Sequence, residues 1–231
     1  PGNGATLLHE VVSIGNSDVA TELIKHNASI DAQDDLGQTA LMRAVSSSDV
    51  NVDVLALLIN MKASLDVRDN KGNTALMHSI LASTSEKLLK SVYLLVEAKA
   101  SMEIIGQDGE TPLLCAIRHA QEKTATVLVG AKANVNAKGA DGSTPLMNAI
   151  RWNMPSALME SLLSAKASLH EQDNSGKTAW MYAAENRSST SSRIARALLD
   201  GAAAHDSADS SDIELIECES TSPPAKRVKR E

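Results

Sequence analysis

The sequence predicts an all-α solenoid: six helix-turn-helix repeats joined by β-hairpin-like loops, followed by a disordered charged tail. Three observations predict it. A Gly-x-Thr signal recurs six times, with its threonines at Thr6, Thr39, Thr74, Thr111, Thr144 and Thr178, so successive copies lie 33, 35, 37, 33 and 34 residues apart. A near-constant period of this length is the mark of stacked supersecondary units. Downstream of the copies, an apolar pair and an Ala-(Ser/Asn)-apolar triplet recur at matching positions. Composition agrees, since hydrophobic residues make up 43% of the 231 residues while aromatics are 2% and Phe is absent. Such small aliphatic side chains suit thin layers between neighbouring repeats better than one deep centre.

Within each copy the elements follow in a fixed order. Gly4, Gly37, Gly72, Gly109, Gly142 and Gly176 fit a turn that requires positive φ. The threonine two places on is set to cap a first helix with its hydroxyl, and Pro112 and Pro145 take the first helical position, where a missing N–H is tolerated. A second helix is marked by Leu57-Leu58, Leu94-Leu95, Leu128-Val129, Leu162-Leu163 and Leu198-Leu199. An extended turn follows at Ala28-Ser29-Ile30, Ala63-Ser64-Leu65, Ala100-Ser101-Met102, Ala133-Asn134-Val135 and Ala167-Ser168-Leu169. The repeats therefore span 1–33, 34–68, 69–105, 106–138, 139–172 and 173–204, with the tail at 205–231.

This pattern resembles the ankyrin repeat family over roughly Gly4 to Ala202. The match rests on the six signals, on Asp34, Asp69 and Asp173 at the turn, on His9 and His78 near it, and on Ala133-Asn134-Val135-Asn136-Ala137 at a hairpin. The chain departs from the family pattern at the end of the second helix. There Asn27, Lys62, Lys99, Lys132 and Lys166 stand where glycine is expected. A non-glycine residue in the left-handed conformation costs on the order of 1 kcal/mol, part of which a cation beside the helix C-terminus recovers. Gly106 and Gly139 replace the turn aspartate, and Ser46-Ser47-Ser48, Ser83-Thr84-Ser85 and Ser188-Ser189-Thr190-Ser191-Ser192 lengthen repeats two, three and six.

The resemblance implies a protein-binding scaffold that reads its partner on a concave surface of turn tips and first-helix faces. By register, that surface should expose Leu36, Gln38, Lys71, Leu81, Asp108, Glu110, Arg118, His119, Arg151 and Trp152. Asn70, Asn73, Gln107, Asn174, Lys177, Glu185 and Asn186 should flank them. Trp180 replaces a core leucine and is expected to be buried. Trp152, beside Arg151 and one repeat from Arg118 and His119, has the composition of an interface hot spot; an indole folded onto the neighbouring repeat is the other reading. Asn136 resembles ankyrin asparagines that a dioxygenase hydroxylates, although a hairpin role suffices to explain it.

Chemistry of other kinds finds little support. The net charge of −7 argues against nucleic acid, whose phosphates need a basic face. No carboxylate pair, Ser/His/Asp set or Cys/His cluster has catalytic or metal-ligating spacing, so no enzymatic activity, metal or cofactor is expected. Cys115 falls on the inner side of a first helix as a packing residue. Two cysteines without a secretory signal point to a reducing, intracellular compartment, where the glycosylation patterns at Asn27 and Asn186 are chance matches. The longest apolar stretch, Val54 to Ile59, is too short to cross a bilayer. The chain is expected to be monomeric. Its first repeat keeps Leu7, Leu8, Val11 and Val12, more apolar than a terminal cap, which favours sequence upstream of Pro1.

The tail carries two further motifs. Ile213-Glu214-Leu215-Ile216, in acidic surroundings, resembles segments that add a strand to the small ubiquitin-like modifier; a cap packed on the last repeat is the competing reading. Lys226, Arg227, Lys229 and Arg230, led by Pro223-Pro224, resemble a monopartite nuclear localisation signal, against a merely solubilising end. Val228 to Glu231 also fits an acceptor pattern for the modifier, and Ser222-Pro223 a proline-directed phosphosite. The expectation is a nuclear, non-enzymatic adaptor binding another protein through its groove. The alternative is a targeting or inhibitory region of a larger enzyme or channel.

Overall fold

The computed structural model describes residues 4–46, 50–82 and 86–185. Among them are eleven α-helices and no strand. Short first helices, α1 (Leu7–Ser13), α3 (Ala40–Ser46), α5 (Ala75–Leu81), α7 (Pro112–Arg118), α9 (Pro145–Arg151) and α11 (Ala179–Glu185), alternate with longer second helices. The latter are α2 (Ser17–Lys25), α4 (Val52–Asn60), α6 (Glu86–Glu97), α8 (Glu122–Gly130) and α10 (Ser156–Ser164). First helices stack on first helices and second on second, giving two layers with the aliphatic core between them.

Each first helix begins where the threonine register places it. The Thr74, Thr111 and Thr144 hydroxyls accept from the N–H of Met77, Leu114 and Met147, and Thr39 and Thr178 do the same for Met42 and Met181. Thr6 differs. Its N–H donates to His9 Nδ1 at 3.1 Å, so the ring proton sits on Nε2 and reaches the Gln38 carbonyl at 2.9 Å, tying the first repeat to the second.

The helices end in a repeated Schellman arrangement. Lys62 N–H donates to Ile59 O and Ala63 N–H to Leu58 O, both at 3.0 Å, and the same pair closes α2, α6, α8 and α10. Asn27, Lys62, Lys99, Lys132 and Lys166 accordingly have φ of 63°, 66°, 71°, 69° and 65°, the strain anticipated for these substitutions. Gly15, Ala120 and Asn153 close α1, α7 and α9 in the same way.

Neighbouring repeats are joined by a ladder that the sequence pattern did not reveal. Asp31, Asp66 and Glu103 accept from the backbone N–H of Ser64, Ser101 and Asn134 one repeat on, each at 2.8 Å. Asn136 does the same for Ser168 at 2.7 Å, so this asparagine has a structural role.

The core leucines Leu8, Leu41, Leu76, Leu113 and Leu146 are buried in register. Trp180, expected to be buried as their counterpart, is only half-buried. Trp180 stands on α11, the last helix described, and an indole exceeds the space a leucine fills.

Candidate protein-binding face

The turns are built as expected but hold their own polar partners. Asp34 Oδ1 accepts from Leu36 and Gln38 N–H, while Oδ2 receives Arg43 at 2.6 and 3.1 Å. Asp69 is met by His78 Nε2 at 2.8 Å, and Asp173 by the Tyr182 hydroxyl at 2.6 Å. Arg43, His78 and Tyr182 occupy one position, four residues after the cap threonine. Burial alone would raise the Asp34 carboxyl, but hydrogen bonds from Arg43, Gln38 and Leu36 outweigh it and hold it low. For Asp173 the Tyr182 hydroxyl is the leading cause of the same downward shift.

Repeats four and five break this pattern. Gly106 and Gly139 remove the turn carboxylate, and the facing residues become Cys115 and Asn148. A Cβ on Gly106 would lie 2.6 Å from Asn73 Oδ1 and 2.8 Å from Met77 Sδ, so a side chain there would displace these two side chains of repeat three. The acid has moved to the tip, as Asp108 and Asp141, and the cation to the end of the helix, as Arg118 and Arg151. Arg118 bonds Asp108 and lies 2.8 Å from Glu110. Arg151 holds Asp141 at 2.9 Å, bonds the Tyr182 hydroxyl and lies 4.7 Å from the centre of its ring. Burial would raise Asp141, but Ser143 and Arg151 bring it to about 2. Burial pushes Glu110 up against the pull of Arg118, and Asp108 and Asp141 add to the rise.

These contacts sort the expected surface residues. Arg118 and Arg151 are staples within and between repeats instead of free arms. Glu110 and Gln38 are partly buried, and the Gln38 carbonyl accepts from Asp34 N–H and His9. Asn73 is buried, because its N–H donates to Asp69 and its Oδ1 faces Gln107. Lys71, Asp108 and His119 are exposed. Of the expected surface residues, the large apolar groups left open are Leu36 at the second tip (57% exposed), Leu81 at the end of α5 (41%) and Trp152 capping α9 (54%). More than half of the Trp152 surface is open to solvent. Ile14, in the same register on repeat one, is 78% exposed and was missed, because nothing but its position beyond the helix marks it.

One hollow of about 110 Å³ indents the face between repeats three and four, beside Met77, Leu81, Gly106, Glu110 and Cys115. Larger hollows of about 580 and 530 Å³ lie around Arg68–Gly72 and Lys138–Asp173, and are lined mainly by polar turn residues. Cys115 is buried, and burial first, then Glu110, pushes its thiol up to about 11. Among the described residues no group of three or more His, Cys, Asp or Glu is placed to hold a metal ion, and no helix is long and apolar enough to cross a membrane. The motifs at Ile213–Ile216 and Lys226–Arg230, with Leu198, Leu199 and Asn186, lie outside the described residues.

Comparison with known proteins agrees with this architecture. A family model described as ankyrin repeats in three copies matches residues 1–69, 51–139 and 128–209. Among curated proteins no sequence matches the chain. Among solved structures, similarity is found to a chain from the complex of a predatory endopeptidase of Bdellovibrio bacteriovorus with an immunity protein. The identity is 26% and the TM-score 0.66, over 85% of this chain and 98% of the other. An ankyrin repeat domain from Acinetobacter baumannii is 24% identical with a TM-score of 0.71, over 83% and 95% of the two chains. A further ankyrin repeat protein aligns at 16% identity with a TM-score of 0.69, over 83% and 96%.

Proposed function

Because this chain belongs to the ankyrin repeat family, we propose that it is a non-enzymatic protein-binding module whose face of turn tips and first helices holds a partner protein around repeats four and five. The observation that carries this reading is Trp152. A tryptophan with 54% of its surface open on a well-packed helix is costly to leave in water, and tryptophan is the residue most enriched at binding hot spots. Leu81 and Leu36 extend the apolar contact along the same face. The similarity to a chain from an endopeptidase–immunity protein complex supports a protein as the partner class.

Affinity purification with the wild-type chain and with Trp152→Ala, read by mass spectrometry, tests the proposal. Trp152→Ala should keep the wild-type circular dichroism and lose the captured partner. A folded Trp152→Ala variant that captures the same proteins in the same amounts overturns it. We further propose that the basic cluster Lys226, Arg227, Lys229 and Arg230 serves nuclear import, on its Pro-led basic composition. A fluorescent fusion should leave the nucleus when the four are replaced by alanine, and unchanged nuclear signal removes that assignment.

A further inference from the structure

We propose that the turn of repeat four takes a side-chain carboxamide from the partner protein, seated beside Ile105 and donating to the carbonyl oxygens of Gly109 and Lys138. The proposal rests on the reading of the chain as a protein-binding module and names a chemical group that the partner presents.

A clasp within the stack shows what this position holds elsewhere. The residue just before each turn is Gln33, Arg68, Ile105, Lys138 or Gln172 in repeats two to six. Gln33 Nε2 donates to the carbonyl of Gly37 in its own turn at 2.6 Å and to that of Arg68 in the next repeat at 3.0 Å. Arg68 repeats the arrangement one unit on, with Nε to Gly72 O at 3.1 Å and a terminal nitrogen to Ile105 O at 2.9 Å. Lys138 makes the second of the two bonds, to Gln172 O at 3.2 Å. Ile105 has no donor to offer. The corresponding acceptors, Gly109 O and Lys138 O, take no hydrogen bond among the described residues.

The substitution costs the chain twice. It gives up a bond to each of two carbonyls, and it leaves an isoleucine 49% exposed where the neighbouring repeats carry polar side chains. A donor brought by a second protein restores both bonds and covers Ile105. The kind of donor follows from the surroundings. Gln33 shows that one primary amide nitrogen, which carries two N–H groups, reaches both carbonyls of such a pair. The charges nearby are of both signs and already engaged. The Arg68 guanidinium sits on Ile105 O, and the Lys138 ammonium lies between Glu171 and Gln172 O. Glu103 holds the Asn134 N–H, and Asp108 holds Arg118. A cationic guest would meet two like charges without a free carboxylate, so a neutral donor fits better. A carboxylate has no N–H for the two oxygens, and a main-chain amide has one N–H and meets only one of them.

The test uses the full chain, observed by NMR at the Ile105 methyl groups and at the carbonyl carbons of Gly109 and Lys138. Butyramide is titrated against N-methylbutyramide, N,N-dimethylbutyramide and butylguanidinium at equal concentration. Butyramide should move the signals of all three residues in a saturable way. Each of the other probes should bind about fivefold more weakly or worse, as expected for the loss of one hydrogen bond. Ile105→Gln, which places the donor of Gln33 at this position, should raise the urea midpoint and abolish the response, while Ile105→Val should keep it. Equal binding of either substituted amide or of the cation overturns the proposal. So does a response that survives Ile105→Gln, or an Ile105→Gln midpoint that does not rise. Partner capture separates this idea from the groove reading. A partner lost with Trp152→Ala but indifferent to Ile105→Gln sinks the carboxamide site and keeps the groove, whereas one indifferent to both sinks the groove reading as well.

Discussion

Ala120 closes α7 with φ of 54°, a conformation that an L-residue adopts at a cost of about 1–2 kcal/mol. Its N–H donates to Ile117 O at 3.0 Å, the next N–H donates to Ala116 O at 2.9 Å, and the side chain is exposed. Replacement by glycine keeps both bonds and removes the strain. The greater freedom of unfolded glycine takes back about 0.5–1 kcal/mol. The expected gain from Ala120→Gly is therefore about 0.5–1 kcal/mol, which for a chain of this size raises the melting temperature by about 2–4 °C per kcal/mol. Lys99→Gly, at φ of 71°, should behave differently. It releases the same strain but removes a cation from the C-terminus of α6, worth about 0.3–1 kcal/mol at low ionic strength. At low salt the two effects nearly cancel. At 1 M salt, where screening acts within about 3 Å, Lys99→Gly should approach the gain of Ala120→Gly. Urea unfolding followed by circular dichroism at both salts measures this. Amide exchange at Gln121 adds a local readout, since stacked repeats need not unfold in one step. An Ala120→Gly variant of lower midpoint, or identical salt dependence for the two variants, refutes the reasoning.

Further outcomes follow from the contacts described. Asp34, Asp141 and Asp173 are held below the usual aspartate value, so each contributes stability that is present above the unfolded value and is lost as pH falls through its lowered folded value, about 2 for Asp141. Asp34→Asn should flatten that acid limb in a pH series of urea midpoints. Glu110 has the opposite sign, because its folded value is raised, and Glu110→Gln should stabilise the chain at neutral pH. Cys115 should remain unmodified by a thiol reagent at pH 8 in the native chain and react in urea, as read by peptide mapping. Asp66→Ala should cost about 1 kcal/mol through loss of the bond to Ser101 N–H. Asp66→Asn should be nearly neutral by the same urea assay, because Asn136 performs that task two repeat pairs on.

The repeat architecture was legible because each unit meets only its neighbours, so period, cap threonine and turn glycine carry most of the information. The left-handed lysines were legible for the same reason, since a missing glycine at a fixed register implies positive φ. The surface was read less well. Register placed Arg118 and Arg151 on the open face, but a long guanidinium arm settles on any carboxylate within reach, and the loss of the turn aspartate at Gly106 and Gly139 left Asp108 and Asp141 within theirs. Asn73 was placed outside by its turn position and is held inside by Asp69. A signal was present and unused: the turn residue and the residue four after the cap threonine change together, as Asp–Arg, Asp–His, Gly–Cys, Gly–Asn and Asp–Tyr.

The turn tips are not coupled evenly along the stack. Asn70 N–H donates to Leu36 O and Asn174 N–H to Asp141 O, both at 3.0 Å, and the Asn70 and Asn174 side chains reach Asp35 O and Ala140 O as well. Among the described residues no such backbone bond joins the fourth tip to its neighbours. The fourth tip is held to the third through side chains instead, Gln107 N–H donating to Asn73 Oδ1 at 3.4 Å and Arg68 donating to Ile105 O at 2.9 Å. The tips are thus keyed by main chain at two junctions and by side chain at this one, so substitutions at Arg68 and Asn73 change the junction between repeats three and four, whereas side-chain truncation leaves the main-chain bonds at Asn70 and Asn174 in place.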